Sequence, residues 1–180
     1  MKQDHTHFDL KLKLRLYCVS EIDKRKINVL DCFAGRGVLW NKIKEKTNKE
    51  IEVTSIEQIS EKNKIALVGN NVKYLKSINL NKYDIIDLDA YGFPIEQLDI
   101  IFSRKYRGII IVTAIQTLYG NLPNKMLFKL GYTKSMINKC RTLFCRNGIE
   151  KLKNYLYLNG VKEIEGYFVN RKNYFKFKIN

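Results

Sequence analysis

Apolar runs that close on carboxylates constrain this chain more than any other feature. Ile27-Asn28-Val29-Leu30 ends at Asp31, and Ile51 to Ile56 ends at Glu57. Tyr83-Asp84-Ile85-Ile86-Asp87-Leu88 carries acids within it, and Gly108 to Ala114 is apolar throughout. The runs read as strands, and the length and β-branching of Gly108 to Ala114 suit one buried on both faces. Between them the pattern predicts helices from Val38 to about Thr47, from a Ser60 cap to about Val68, and after Pro94, a residue suited to a first helical turn. Strands alternating with helices build βαβ units, whose sheet is parallel and covered on both sides. With only 2 Pro and 10 Gly in 180 residues, the chain has too few turn formers for an all-β fold. Its length is that of one domain able to bury its own core.

The last third breaks the rhythm. Ser135 to about Arg146 and Ile149 to Leu158 predict helices, with Gly160 as a stop. Glu163 to Val169 and Tyr174 to Ile179 predict two strands joined by Asn170-Arg171-Lys172-Asn173, an antiparallel hairpin closing the sheet. The first 26 residues admit two readings. Leu10, Leu12, Leu14 and Leu16 alternate as in a strand, while their position before the first strand also suits a helix.

Charge is segregated along the chain. The net charge is +15, but residues 27–120 carry only +2, residues 1–26 carry +3 and residues 121–180 carry +10. The expected organisation is therefore one domain with a near-neutral core between a basic N-terminal segment and a basic tail. Such flanks suit a polyanion, with nucleic acid as the expected partner. Lysine outnumbers arginine and Asn and Ile are frequent, the bias an AT-rich genome would impose on any surface, so composition drift is the alternative source of the excess. Cys18, Cys32, Cys140 and Cys145 form no C-x-x-C pair, and His5 and His7 lie far from them, so reduced thiols are expected and a metal site is not. No apolar run approaches the ~20 residues of a membrane span, and the start is polar, so a soluble, cytoplasmic protein is expected.

The chemistry begins at Asp31-Cys32-Phe33-Ala34-Gly35-Arg36-Gly37. Glycines after a buried strand let the chain turn sharply and let a ligand approach the backbone. A dinucleotide site would need a third glycine where Trp40 stands, and there is no GK[ST], so neither NAD nor a P-loop nucleotide fits. Glu57 closes the second strand, where doubly wound folds place an acid on ribose hydroxyls. Together these features resemble the class I S-adenosylmethionine-dependent methyltransferases, with D-x-x-x-G-x-G after the first strand and an acid after the second. The resemblance spans roughly residues 27–179. It implies a Rossmann-like α/β fold, a doubly wound, mostly parallel seven-stranded sheet with a C-terminal antiparallel hairpin. It also implies S-adenosylmethionine as cofactor, held by Asp31, Phe33, Gly35, Gly37 and Glu57, with Gln58 and Asn70 or Asn71 near the adenine.

A third constellation follows the Tyr83–Leu88 run: Asp87-Leu88-Asp89-Ala90-Tyr91-Gly92-Phe93-Pro94. Methyltransferases acting on exocyclic amines of bases carry [DNS]-P-P-[YFW] here. An acid and the next carbonyl accept hydrogen bonds from the amine and aim its lone pair, while the aromatic stacks on the base. The wording D-x-D-x-[YF]-G-x-P, with Val112-Thr113-Ala114 on the next strand, most resembles the tRNA guanine exocyclic-amine dimethyltransferases. Asp89, Ala90 and Tyr91 are thus the expected catalytic residues. Two departures stand out: Ala90 replaces a proline, and the long C-terminal domain of those enzymes is not matched. Weaker substrate candidates are Arg36 in the glycine turn, Lys11, Lys13 and Arg15 on one face if their segment is a strand, and Arg141 and Arg146 in the tail. In that tail Lys151, Lys153, Tyr155 and Tyr157 interleave bases with aromatics, as single-stranded nucleic acid would favour.

Three functions compete. The first is methyl transfer to a base amine, with RNA, tRNA-like, favoured over DNA. The second is a methyltransferase of a protein or small molecule, which would need the cofactor motifs but no acid–aromatic loop. The third is an inactive module that keeps the fold and binds nucleic acid. A cytosine C5 mechanism is disfavoured, since it usually needs a thiol after a proline and no Pro-Cys occurs. A partner subunit or second copy could supply substrate recognition to so short a chain.

Overall fold

The computed structural model describes residues 7–59, 66–116, 122–140 and 144–179. Strands β1 (Lys26–Asp31), β2 (Glu50–Glu57), β3 (Leu67–Val68), β4 (Ile85–Asp89), β5 (Gly108–Ile115), β6 (Glu165–Val169) and β7 (Lys172–Ile179) form one seven-stranded sheet in the order β3-β2-β1-β4-β5-β7-β6. The first five are parallel to one another, while β7 runs antiparallel to both β5 and β6. Helices α1 (Phe8–Ser20), α2 (Val38–Lys44), α3 (Asn71–Ser77), α4 (Ile95–Ser103), α5 (Asn124–Lys129), α6 (Lys134–Lys139) and α7 (Phe144–Leu158) accompany it.

Side chains alternate across a strand, so each central strand feeds two cores. Leu30, Ile86, Leu88, Ile110, Val112 and Phe175 pack on one face with Leu98 and Ile101 of α4 and Leu152 and Leu156 of α7. Ile27, Val29, Ile85, Ile109, Ile111 and Tyr174 pack on the other with Leu14, Cys18 and Val19 of α1 and Trp40 and Ile43 of α2. The fold is the doubly wound architecture that the alternating runs predict, closed by the antiparallel pair β6–β7.

One open reading is resolved and three local expectations are corrected. The N-terminal segment is a helix: its leucines alternate, yet α1 buries Leu14, Arg15, Cys18 and Val19, a helical stripe. Leu67 and Val68 pair with Ile56 and Glu57 as a strand, not as the end of a helix from Ser60, a residue outside the described ones. In the tail α6 stops at Lys139 and α7 starts at Phe144, where one helix from Ser135 to Arg146 was expected. The hairpin turn is only Asn170-Arg171, because Val169 already pairs with Lys172, and Asn170 takes φ 54°, which Asn tolerates. Among the described residues no helix is long and apolar enough to cross a membrane.

Candidate active site

Parity places the acids. Asp31 on β1 and Asp87 and Asp89 on β4 share the strand parity of Val29 and Ile85, so all three lie on the face covered by α1 and α2. Asp31 sits directly beside Asp87 in the β1–β4 register. On α1, Lys11 and Arg15 are one turn apart. Four helical residues rise about 6 Å and two strand residues about 6.6 Å, so the two cations match the two acids in spacing.

The contacts follow that match. Arg15 donates through Nε to Asp87 Oδ2 and through Nη2 to Asp87 Oδ1, both at 2.7 Å. Trp40 Nε1 adds a third donor to Asp87 at 2.9 Å. Lys11 Nζ donates to both oxygens of Asp89, at 2.7 and 2.9 Å, and Arg15 Nη2 lies 3.9 Å from Asp89. Burial alone would lower the Arg15 pKa, but Asp87 and Asp89 outweigh it and hold the guanidinium charged. Burial also pushes Asp87 up, opposed by Arg15. At Asp89 burial is overcome by Arg15 and Lys11, which hold its carboxyl below the usual range. The Thr113 hydroxyl neighbours Asp89 across the β4–β5 pair, near enough to favour the carboxylate, yet it has no hydrogen bond of ordinary geometry among the described residues.

Asp31 is the unbalanced member. It is 5% exposed, and its oxygen accepts from the Phe33 N–H at 3.2 Å. Burial first, then the Asp87 carboxylate, push its pKa well above the ordinary value. A carboxyl raised in the folded state contributes stability below its unfolded pKa and loses it as pH rises through the folded one. Asp31→Asn is therefore expected to raise stability at neutral pH by about 0.5–2 kcal/mol, as relief of a functional site's strain does. Urea unfolding of both proteins between pH 4 and pH 8, a range spanning the ordinary carboxylate and neutrality, checks this; a gain that does not grow with pH counts against it.

The glycine turn adjoins these acids. Gly35 and Gly37 take φ 53° and 72°, which allows the chain to reverse between β1 and α2. Glu57 accepts from the Gly35 N–H at 2.8 Å and the Ile59 N–H at 3.1 Å, tying the end of β2 to the turn. A cavity of about 190 Å³ opens between Phe33, Gly35 and Val38 on one side and Asp89, Ala90 and Tyr91 on the other, with Phe8 and Lys11 of α1 at its wall. Ala90 is buried and Tyr91 is 72% exposed, an aromatic at the mouth with little to hold it there. Gly92 O accepts from Ile115 N, and Phe93 is buried, so the loop is anchored behind Tyr91.

The structure thus brings together Asp31, Phe33, Gly35, Asp89, Ala90 and Tyr91, with Gly37 and Glu57 adjoining. Others separate. Arg15 is fully buried on Asp87 and cannot track a phosphate backbone, which corrects the strand-based expectation. With α1 helical, Lys13 faces solvent, away from Lys11 and Arg15. Asn70 caps α3 by accepting from the Val72 N–H, and Asn71 donates to the Cys32 carbonyl and accepts from Gln97, so both amides serve the fold where adenine contacts were expected. Gln58, Arg36 and Arg146 are exposed, and Arg141 lies outside the described residues. Tyr155 is buried with its hydroxyl on Asp99, a core tyrosine, whereas Tyr157 is half exposed. Sequence reasoning missed Trp40 and Asp87 as a hydrogen-bonded pair, and the Lys11–Asp89 contact. Only the shared i,i+4 spacing on α1 and i,i+2 spacing on β4 hints at the latter.

Comparison with known proteins bears on the fold. No family model matches the chain, and no curated protein matches it. Among solved structures it is similar to a candidate rRNA-methylase from Clostridium thermocellum, at 12% identity and a TM-score of 0.54, covering 93% of this chain and 94% of that one. It is also similar to a candidate methylase from Haemophilus influenzae, at 13% identity and a TM-score of 0.53, covering 96% and 98%. A candidate class I S-adenosylmethionine-dependent methyltransferase from Listeria monocytogenes aligns at 11% identity and a TM-score of 0.56; it covers 99% of this chain, which spans 62% of that protein's length. The Rossmann-like fold of these structures is the fold of this chain.

Proposed function

We propose that this chain is an S-adenosylmethionine-dependent methyltransferase acting on an exocyclic amine of a nucleic-acid base, with RNA preferred over DNA. The observation that carries the reading is the cavity where Asp89, Ala90 and exposed Tyr91 face the positive-φ glycine turn. The residues present fit the cofactor: the turn leaves room for close backbone approach at Gly35, and the Glu57 carboxylate beside it suits ribose hydroxyls. S-adenosylmethionine, when bound, supplies an electrophilic methyl sulfonium.

The chain's own residues do the rest. The Asp89 carboxylate and the Ala90 carbonyl accept from the amine, orient its lone pair and favour the positive charge that grows on nitrogen. Tyr91 offers its ring to the base. The amine is itself the nucleophile, so no covalent enzyme intermediate is needed: the carbon–sulfur bond breaks as the nitrogen–carbon bond forms, leaving a neutral thioether, and the nitrogen then loses one proton to solvent. Basic residues of the tail supply phosphate contacts that carry no sequence information.

Calorimetry with S-adenosylmethionine is expected to detect binding to the wild type, weakened by about tenfold or more in Glu57→Ala through loss of charge-assisted hydrogen bonds. Absence of binding ends the cofactor assignment. Radiolabelled methyl transfer to total RNA and to DNA in parallel, followed by nucleoside analysis, then identifies the acceptor. RNA binding should weaken steeply with salt, log K falling about 0.7 per phosphate neutralised for each unit of log salt. A flat profile would assign the lysine excess to composition drift.

A further inference from the structure

Lys11 already occupies the place where the acceptor amine belongs. Its ammonium donates to both oxygens of Asp89 inside the cavity that holds Gly35 and Tyr91. That cavity, about 190 Å³, is smaller than the ~300–1,000 Å³ of ordinary ligand clefts, and Phe8 and Lys11 of α1 take part of the room. The helix itself is fixed. Arg15, one turn along, is sealed on Asp87, and Leu14, Cys18 and Val19 belong to the core. The Lys11 side chain, on a flexible four-carbon stem and 15% exposed, can leave Asp89 without moving the helix.

Its departure leaves a usable site. Arg15 stays 3.9 Å from Asp89, so the carboxylate keeps a compensating charge with its lone pairs open. What could draw the ammonium away differs between acceptors. A base amine is a neutral, weak donor and competes poorly with an ammonium for a carboxylate. A base carried on a phosphodiester chain brings anions that offer Lys11 an alternative partner.

We propose that Lys11 is a specificity-determining gate: it blocks Asp89 against free amines and yields when the phosphates of a nucleic acid take up its charge. The proposal rests on the methyl-transfer reading for its chemistry, but the movement of Lys11 can be measured without it.

The test compares a short mixed-sequence single-stranded RNA with the equimolar free nucleosides as acceptors. In Lys11→Met, kcat/KM for the nucleosides is expected to rise about tenfold, the scale of one hydrogen bond to a charged group, while that for RNA does not rise. The preference for RNA should shrink accordingly, and Lys11→Arg should retain it. Equal loss on both acceptors would make Lys11 a residue that merely positions Asp89, and an unchanged ratio would also overturn the gate. The second readout is NMR of the lysine Cε and Nζ nuclei, with Lys11 assigned by its absence in Lys11→Met. Titrating the same RNA should move the Lys11 signal toward its position in Asp89→Asn. A signal that stays put overturns the gate whatever the kinetics. A signal that moves while neither acceptor is methylated supports the release of Lys11 by phosphates but rejects the methyl-transfer reading, and with it the specificity role.

Discussion

Asp89→Ala is expected to lower single-turnover methyl transfer by about 10²–10³-fold, the usual cost of removing a group aimed at charge that develops in a transition state. Cofactor affinity should stay close to that of the wild type, because Asp89 lies on β4 while the glycine turn and Glu57 belong to β1 and β2. Asp89→Asn separates two contributions. It keeps an oxygen to accept from the amine but loses the charge that balances the nitrogen, and it releases Lys11. An intermediate rate assigns part of the effect to charge; a rate equal to that of Asp89→Ala assigns nearly all of it. Unchanged turnover in Asp89→Ala removes this residue from the mechanism.

Arg15→Met is the largest expected change in stability. Asp87 is 1% exposed and would keep only the Trp40 donor for a full negative charge. Breaking a buried pair by removing one partner costs about 3–5 kcal/mol, a fall of roughly 6–20 °C in Tm for a domain of this size. The pH dependence gives the cause away. Without Arg15 only the Trp40 donor opposes the burial that raises Asp87, so the variant should be most stable at acidic pH and lose stability as pH rises. Replacing both partners, as Arg15→Met with Asp87→Leu, should recover much of the loss, since the pair's own buried charges are then both gone. Thermal melts across pH settle the point; a single variant as stable as the wild type would mean that Asp87 does not need the guanidinium.

The sequence made β1, β4 and β5 legible because they are buried on both faces or nearly so and are written largely in Ile, Val and Leu. The glycine turn and the Asp89–Tyr91 loop were legible for another reason: each is contiguous, and its residues meet without help from distant chain. Arg15 was not. Its burial depends on Asp87, 72 residues away, and nothing local separates a sealed arginine from an exposed one. The leucines of α1 left strand and helix both open, because Leu10, Leu12 and Leu16 are only half buried and the alternation they share is incidental to the stripe that packs. Asn70 and Asn71 were read for a ligand, while a cap and a bridge to Gln97 claimed them.

The position of β7 between β5 and β6 has a kinetic consequence. The strand spans residues 172–179, while the helix that leans on it spans 8–20, and Lys176 reaches Glu21 across 155 residues of sequence. Closing a loop of that length costs about 4 kcal/mol of chain entropy before any contact repays it. Topologies ruled by such distant pairings fold in milliseconds to seconds rather than microseconds. Tyr174, whose ring lies 5.7 Å from Lys11 Nζ, belongs to that late strand. During synthesis, therefore, the β1–β2–β4 portion can form its sheet well before β7 arrives, and the wall beside Asp89 is complete only when the two distant segments meet.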